Sequence, residues 1–327
     1  MQGHATAAGT AAFAAKFEAD FYSRAGDLTL SSLGLGTYLG EADLPTDRSY
    51  EEAIATALEL GVNHLDTAIV YRGMMSEKAL GRALKAAGVP REAVFIATKG
   101  GYVPSQLVQE KKIPREELVK GSHTLVPRSV EVMLSRSLEN MGLETVDVYY
   151  LHNPETQLGT VSEKDFYERM KAAFAVLEAA RTKGKVVHYG TATWNGYRVP
   201  NQLQLEKVLD AARAAGGEGH GFKWVQLPIS LAMPEAVAKK TQLVKGEAMT
   251  FMEAARKLGV HVASSGSIAQ GELANDLGRA ITFVRSVPGL DTALVGMSKA
   301  AHVRENVGHA RKPRVAPEIA AKWAGLT

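Results

Sequence analysis

The sequence has 327 residues, of which 46% are hydrophobic and 22% charged, and its formal net charge is +3. This length and composition are typical of a folded chain and do not require two independent domains. The chain contains no cysteine, which excludes disulfide bonds, a cysteine nucleophile and thiolate metal ligands. Because Lys and Arg are scattered among acidic residues, we do not expect a nucleic-acid partner.

The N-terminal segment predicts no targeting signal. Residues 1–15 lack the basic start and apolar centre of a signal peptide, and no apolar run in the chain approaches the roughly 20 residues of a membrane span. We therefore expect a cytoplasmic protein without membrane contact. Residues 1–21 are interpreted as an extension whose Ala-rich stretch 10–21 predicts a helix capped by Thr10. The Gly26–Asp27 pair then predicts a hairpin that plugs the bottom of a barrel.

The rest of the chain alternates apolar runs with segments of helical period. Pro127, Gly142 and Gly259 stand where helices are expected to begin or end. Alternation of this kind is typical of βα units with a parallel sheet. It predicts an α/β fold, a (β/α)8 TIM barrel with an N-terminal hairpin and extra helices, as one domain over 1–327. The eight predicted strands lie near 33–37, 62–66, 94–98, 146–151, 186–190, 223–227, 260–264 and 292–296.

A doubly wound dinucleotide-binding fold is the main alternative, because GLGTYLG (34–40) is rich in glycine. Its glycines do not have the GxGxxG spacing, and no helix begins directly after them to receive a pyrophosphate. Tyr167 and Lys171 imitate the Tyr-x-x-x-Lys pair of short-chain dehydrogenases. Their amphipathic helix favours an exposed i, i+4 pair.

Four polar residues stand at or just after the ends of predicted strands: Asp66, Tyr71, Lys99 and His152. The C-terminal ends of all strands open on one face of a barrel, so these side chains are expected to meet there. A phenol beside an ammonium, with a carboxylate and an imidazole, can deliver a proton to a carbonyl without a metal. We expect Lys99 to favour the phenolate form of Tyr71 and Asp66 to keep Lys99 charged.

Each of these residues alone has a structural explanation, such as a turn cap or a solvated strand end. The remaining histidines show no metal-ligand spacing, so no metal site is expected. Packing, strand pairing or loop solvation is the default role for His64, His123, His188 and His220.

With these four residues in their motifs, the chain resembles the aldo-keto reductase family from about Leu30 to Asn306. The resemblance implies that Asp66, Tyr71, Lys99 and His152 form a catalytic tetrad. It also implies NAD(P)H-dependent reduction of an aldehyde or ketone by hydride transfer, with Tyr71 as general acid. The motifs that carry it are GLGTYLG, NHLDTAIVY, IATKG, DVYYLHNP, GKVVHYGT, VQLPISL and VPGLDTALVGMSKAAHVREN.

The resemblance implies a cofactor, NADP, lying across the barrel mouth, with NADPH favoured and NADH not excluded. Many relatives have Ser and Asn where Ala192 and Thr193 stand, an aromatic residue at Ser265, and Arg at His302. Trp194 or Tyr38 is the alternative aromatic surface, and Lys299 or Arg304 the alternative phosphate partner. The expected cofactor-binding residues are Gly36, Thr37, Tyr38, Asp66, Thr193, Gln226, Ser265, Gly296, Met297, Ser298, His302, Glu305 and Asn306.

Two other functions stay open at this point: a cofactor-binding regulatory subunit with little turnover, and a barrel glycosidase. The second needs two carboxylates, and Glu155 is a weak candidate partner for Asp66. The substrate is expected to be a small carbonyl compound, and its identity depends on the long connections at 100–127, 153–162 and 228–246. The sequence does not indicate an oligomeric state.

Overall fold

Eight parallel strands close into a barrel in the computed structural model, which describes residues 1–325. The last two residues of the predicted 1–327 domain lie outside the described residues. The barrel order is β3-β4-β5-β6-β7-β8-β11-β12, with β12 pairing back onto β3. All eight strand predictions are confirmed. The strands are β1 (Tyr22–Ala25), β2 (Leu28–Ser31), β3 (Leu33–Gly36), β4 (His64–Asp66), β5 (Phe95–Gly100), β6 (Val146–His152), β7 (Val186–Ala192), β8 (Phe222–Pro228), β9 (Gln242–Val244), β10 (Glu247–Met249), β11 (His261–Ser265) and β12 (Thr292–Gly296).

Helices connect the barrel strands and cover them from outside. Pro127 occupies the first helical position of its helix, and Gly142 ends that helix in the left-handed conformation, with φ of 64°. Both boundaries agree with the sequence signals, because Pro suits a helix start and Gly a left-handed end. The helices are α1 (Ala7–Ala14), α2 (Leu44–Glu59), α3 (Met75–Ala87), α4 (Ser105–Gln109), α5 (Pro127–Met141), α6 (Glu163–Thr182), α7 (Leu205–Gly216), α8 (Glu235–Ala238), α9 (Phe251–Leu258), α10 (Leu277–Arg285), α11 (Ala300–Ala310) and α12 (Pro317–Trp323).

The core has two parts. A large cluster of aliphatic and aromatic side chains fills the layer between strands and helices. A smaller cluster, including Phe95, Tyr150, Trp224 and Leu294, fills the barrel interior. Close packing between β7 and β8 requires Gly190, because a Cβ atom there would lie 1.8 Å from the Trp224 carbonyl oxygen. The barrel is therefore a packed support for side chains at its mouth.

The predicted hairpin is confirmed, and it plugs the end of the barrel opposite the mouth. β1 and β2 pair antiparallel, and Leu30 packs into the interior cluster. The predicted helix over 10–21 is wrong in its bounds, since α1 begins at Ala7 and Thr6 caps it by accepting a hydrogen bond from the Gly9 N–H. Thr10 is instead buried in the helix, where its hydroxyl accepts the Thr29 N–H at 3.1 Å.

Tyr167 and Lys171 both lie on α6, but the expected exposed pair between them is wrong. Lys171 contacts the Glu168 carboxylate at 3.2 Å. The Tyr167 ring is half-buried, and its hydroxyl accepts the Gln204 N–H at 3.3 Å. Each side chain has a different structural partner, so the two do not form a catalytic pair.

Within residues 1–325, none of the helices combines the length and the apolar character needed to cross a bilayer.

Candidate active site

The four strand-end residues meet at one mouth of the barrel. Asp66 is the last residue of β4, Lys99 lies near the end of β5, and His152 ends β6. Tyr71 begins a short 3-10 turn, Tyr71–Met74, that follows β4. The Tyr71 and His152 rings lie edge to face, with centroids 5.9 Å apart. The structure therefore brings together all four residues that the sequence singles out.

Lys99 and Asp66 form a buried ion pair. Lys99 Nζ donates to Asp66 Oδ2 at 2.6 Å and to the Thr67 carbonyl oxygen at 2.8 Å. Burial lowers the pKa of Lys99, and the Asp66 carboxylate opposes that shift by favouring the charged ammonium. Lys99 Nζ also lies 5.0 Å from the centroid of the Tyr71 ring, over its face. Within the pair, the ammonium is thus the member that faces the phenol ring.

The expected net shift of Tyr71 toward the phenolate form is wrong for this structure. Burial raises the pKa of Tyr71 well above its ordinary value, and the Asp66 and Tyr38 side chains raise it further. The ammonium faces the ring and donates two of its three N–H groups, to Asp66 and to the Thr67 carbonyl oxygen. Tyr71 is therefore a protonated phenol throughout the physiological pH range, which is the form that can donate a proton.

His152 is neutral. Burial lowers its pKa well below the ordinary value, with smaller contributions from Lys99 and His123. Its Nδ1 atom has no hydrogen-bond partner among residues 1–325. A neutral imidazole can donate one hydrogen bond to a substrate oxygen without bringing a charge.

His123 anchors the backbone of His152, a role that the sequence did not suggest. His123 Nε2 lies 2.8 Å from the His152 carbonyl oxygen, and Gln157 Nε2 lies 3.3 Å from His123 Nδ1. Arg169 in turn donates to the Gln157 side-chain oxygen at 2.8 Å. Burial lowers the pKa of His123 to about 4, so this histidine is also neutral. These contacts join distant segments, which sequence spacing does not reveal.

Gln226, expected to bind the cofactor amide, contacts the tetrad. Its Nε2 donates to Asp66 Oδ1 at 2.8 Å across the barrel, so both Asp66 oxygens have side-chain donors. The neighbouring Thr193 donates its backbone N–H to the Gln226 carbonyl oxygen at 2.8 Å. The buried Thr193 hydroxyl has no partner within the described residues. Because Thr193 and Gln226 are neighbours across two strands, the Thr193 hydroxyl and the Gln226 side chain are suitable polar groups for a ligand amide.

The other expected cofactor residues fall into two groups. Gly36, Thr37, Ser265, Gly296, Met297 and Ser298 lie at or just after the ends of β3, β11 and β12, around the mouth. Met297 is fully buried, and its backbone N–H faces the Gly36 carbonyl oxygen at 3.4 Å. On α11, His302 and Glu305 are exposed, as are the alternative phosphate partners Lys299 and Arg304, whereas Asn306 is buried.

Aromatic rings stand at two sides of the mouth. Tyr38 is 60% exposed, and its ring centroid lies 5.0 Å from that of Tyr71. Trp194 is partly exposed, and its indole Cη2 atom would lie 3.8 Å from a Cβ placed on Gly266, directly after Ser265. Either ring is therefore placed to supply the aromatic surface that Ser265 lacks.

Glu155 serves the loop after β7 and does not pair with Asp66. Its Oε1 atom accepts the backbone N–H groups of Trp194, Asn195 and Gly196 at 2.8, 3.1 and 3.2 Å. Burial raises the pKa of Glu155, although these hydrogen bonds oppose the shift. A carboxylate committed to three backbone donors does not suit the second acid of a glycosidase, which weakens that alternative.

Fold and site together define a class: a (β/α)8 barrel with a tyrosine, a lysine–aspartate pair and a histidine at the C-terminal mouth. Residues 32–216 match the model of the Aldo/keto reductase family. The chain belongs to the aldo/keto reductase family.

A characterised relative is similar to this chain over about half of its length. The NADH-specific methylglyoxal reductase of Escherichia coli K12 is 31% identical over 188 residues, which cover 56% of this chain and 54% of that protein. This chain thus matches only about half the length of that curated relative.

Solved structures match nearly the whole barrel at low sequence identity. The aldo-keto reductase AKR11C1 of Bacillus halodurans, in its holo form, matches with a TM-score of 0.66 at 18% identity, covering 94% of this chain and 96% of that one. An aldo/keto reductase of Klebsiella pneumoniae, in complex with NADP and acetate, matches with a TM-score of 0.63 at 16% identity, covering 92% of each chain. These matches support the fold.

Proposed function

We propose that the protein is an NAD(P)H-dependent reductase that converts an aldehyde or ketone to an alcohol. The observation that carries this proposal is a protonated phenol, Tyr71, beside both a buried Lys99–Asp66 ion pair and a neutral His152. Family membership supports the same reaction class. The tetrad assignment rests on the position of these side chains and on the family resemblance.

Each member of the tetrad has a separate part in the proposed reaction. Tyr71 holds a proton on Oη and releases it to the carbonyl oxygen as negative charge develops there. His152 donates a hydrogen bond to the same oxygen and orients the carbonyl. Lys99 stabilises the phenolate that remains, and Asp66 fixes the Lys99 ammonium against the ring. When bound, the reduced nicotinamide supplies the hydride that the carbonyl carbon receives.

The residues at the mouth fit a nicotinamide cofactor. The Thr193 hydroxyl, which has no partner within residues 1–325, and the Gln226 side chain suit the carboxamide, and Trp194 or Tyr38 suits the ring. The proposed cofactor-binding set remains that of the sequence analysis: Gly36, Thr37, Tyr38, Asp66, Thr193, Gln226, Ser265, Gly296, Met297, Ser298, His302, Glu305 and Asn306.

NADPH is the proposed cofactor, and NADH is the alternative. His302 cannot give the 2′-phosphate the bidentate contact of an arginine, and the Escherichia coli relative is named as NADH-specific. The test is a fluorescence titration of the protein with each cofactor. Tighter binding of NADPH supports the proposal, whereas equal or tighter binding of NADH overturns it.

The activity is tested with a panel of carbonyl compounds, followed by the loss of NADPH or NADH absorbance. Methylglyoxal is the first candidate because of the relative's name, followed by aromatic aldehydes, sugars and ketones. Turnover that falls sharply in the Tyr71→Phe variant supports the proposal. Tight cofactor binding with no turnover across the panel would favour the regulatory alternative, and cofactor-independent sugar hydrolysis would favour the glycosidase.

A further inference from the structure

The backbone that follows Tyr71 is strained. Arg72, Gly73 and Met74 have φ values of 51°, 60° and 72°, all in the left-handed region. Glycine adopts this region freely, but arginine and methionine do so at a cost. Two strained residues directly after the proposed proton donor need compensating contacts from their surroundings, and such strain is common at functional sites.

Arg72 makes those contacts through its side chain, which is only 1% exposed. Its Nη2 atom donates to Asp47 Oδ1 at 2.6 Å and to the Asp43 carbonyl oxygen at 3.1 Å. Its Nε atom donates to the Glu41 carbonyl oxygen at 2.7 Å. The guanidinium also lies 5.3 Å from the centroid of the Tyr50 ring. The forked geometry of arginine allows all these partners to be engaged at once.

Those partners belong to the segment that carries Tyr38. The β3 loop, residues 37–43, follows β3 and is bound by Arg72 at Glu41 and Asp43. Tyr50 Oη donates to the Leu39 carbonyl oxygen of the same loop at 2.8 Å. Arg72 therefore joins the turn that begins with Tyr71 to the loop whose Tyr38 ring lies edge to face on Tyr71.

We infer that the Arg72–Asp47 pair is a positioning device for the proposed proton donor: it fixes the Tyr71 ring against Tyr38 and over Lys99. The inference rests on the proposed reductase function. Arg72 acts through Tyr71 and Tyr38 and has no contact with substrate of its own. Its loss would leave the phenol present but free to turn away from the carbonyl oxygen.

Arg82 provides a matched control on the same carboxylate. Its Nη2 atom contacts Asp47 Oδ2 at 2.6 Å, but its side chain is 49% exposed and reaches neither the β3 loop nor Tyr71. Because Arg82 keeps Asp47 paired, we expect the Arg72→Gln variant to fold. The Arg82→Gln variant removes an ion pair to Asp47 while leaving the junction between the two segments intact.

The experiment compares Arg72→Gln, Arg72→Lys and Arg82→Gln by kinetics, thermal unfolding and NMR of the tyrosine rings. Arg72→Gln is expected to lower kcat about tenfold to hundredfold, with KM within about threefold, because small misplacements of reacting groups are costly. The Tyr71 and Tyr38 resonances, assigned with Tyr71→Phe and Tyr38→Phe, should shift in this variant. Arg72→Lys keeps the charge but lacks the fork, so it should shift the same resonances with a smaller loss of kcat.

Arg82→Gln should leave kcat and both resonances as in the wild-type protein. Wild-type resonances and kcat in a folded Arg72→Gln variant would overturn the inference, as would equal effects from Arg82→Gln. If Arg72→Gln does not fold, Arg72→Lys decides the question by the same readouts. A wild-type protein that lacks reductase turnover would refute the proposed function, and the tyrosine resonances would still test the positioning.

Discussion

Each end of the barrel contains a buried acid–base pair, and the two pairs differ in their partners. At the mouth, Lys99 contacts Asp66 at 2.6 Å, and at the bottom Arg91 contacts Asp147 at the same distance. The Asp147 carboxylate also accepts the backbone N–H groups of Ala5 and Ile96. Arg91 donates to the backbone carbonyl oxygens of residues 94 and 145. The bottom pair thus ties main-chain segments together.

The pair at the mouth is surrounded by side chains. Asp66 accepts from Gln226, and Lys99 faces the Tyr71 ring, near a histidine whose Nδ1 lacks a partner within residues 1–325. Similar ion pairs in one barrel are therefore used differently: one stabilises the fold, and the other orients groups that retain hydrogen-bonding capacity for a ligand. Substitutions at Tyr71 and Asp147 separate these two uses, and the larger effect is expected at Tyr71.

Tyr71→Phe should abolish most of the activity at the mouth without affecting the stability that the bottom pair provides. Removing a general acid is expected to lower kcat by about 10³-fold, within the usual range of 10²–10⁴ for this type of catalysis. Cofactor affinity and the free energy of unfolding should change little. Steady-state kinetics, a cofactor titration and denaturant unfolding provide the three measurements. Near-wild-type turnover would reject the assignment of Tyr71.

Asp147→Ala should lower the stability of the protein and leave its activity nearly unchanged. It leaves Arg91 buried without its carboxylate and removes an acceptor from two backbone N–H groups, so the free energy of unfolding should fall by about 3–5 kcal/mol. The kcat of the folded protein should stay within about twofold of wild type, because the bottom is remote from the mouth. Urea unfolding and kinetics on the same samples test this. A large loss of kcat at unchanged stability would contradict the division between the two ends.

His64 lies inside the barrel between these regions and makes stability depend on pH. Burial lowers its pKa to about 3, and neither ring nitrogen has a partner within the described residues. The unfolded chain binds a proton near pH 6.5 and the folded chain does not, so stability is lost as pH falls from 6.5 toward 3. At pH 5 the free energy of unfolding is lowered by roughly 2 kcal/mol through this protonation.

The His64→Leu variant removes this titration. The difference in unfolding free energy between pH 7.5 and pH 5 should therefore be smaller in the variant by roughly 2 kcal/mol. Measuring each protein at both values cancels any packing change that the substitution causes. An identical pH dependence in the two proteins would show that His64 is not the titrating group.

The barrel and the meeting of the tetrad were predictable because each rests on a local signal. Apolar runs of strand length mark the strands, and parallel closure places the ends of β4, β5 and β6 on one face. The Gly26–Asp27 turn likewise specifies its hairpin. The start of α1 was missed because both Thr6 and Thr10 are suitable caps in an Ala-rich stretch.

The rest of the site depends on contacts between loops and on burial depth. Arg72 binds residues 25 or more positions away in the chain, and nothing in the sequence pairs it with Asp47. The direction of the Tyr71 pKa shift also follows from its full burial, which a strand-end position does not specify. Sequence pattern thus indicates which residues meet, and the fold decides their protonation.

Glu155 has a consequence for how this barrel could acquire new selectivity. It binds the loop after β7 only through main-chain N–H groups, which every residue except proline provides. Position 194 can therefore change its side chain while the loop keeps its course, whereas the Asn195 side chain also accepts a hydrogen bond from Arg198 at 3.1 Å. Position 196 is more restricted, because a Cβ atom there would lie 2.8 Å from Leu203 Cδ1. Directed evolution at position 194 would alter the rim of the entrance without destabilising the barrel beneath it.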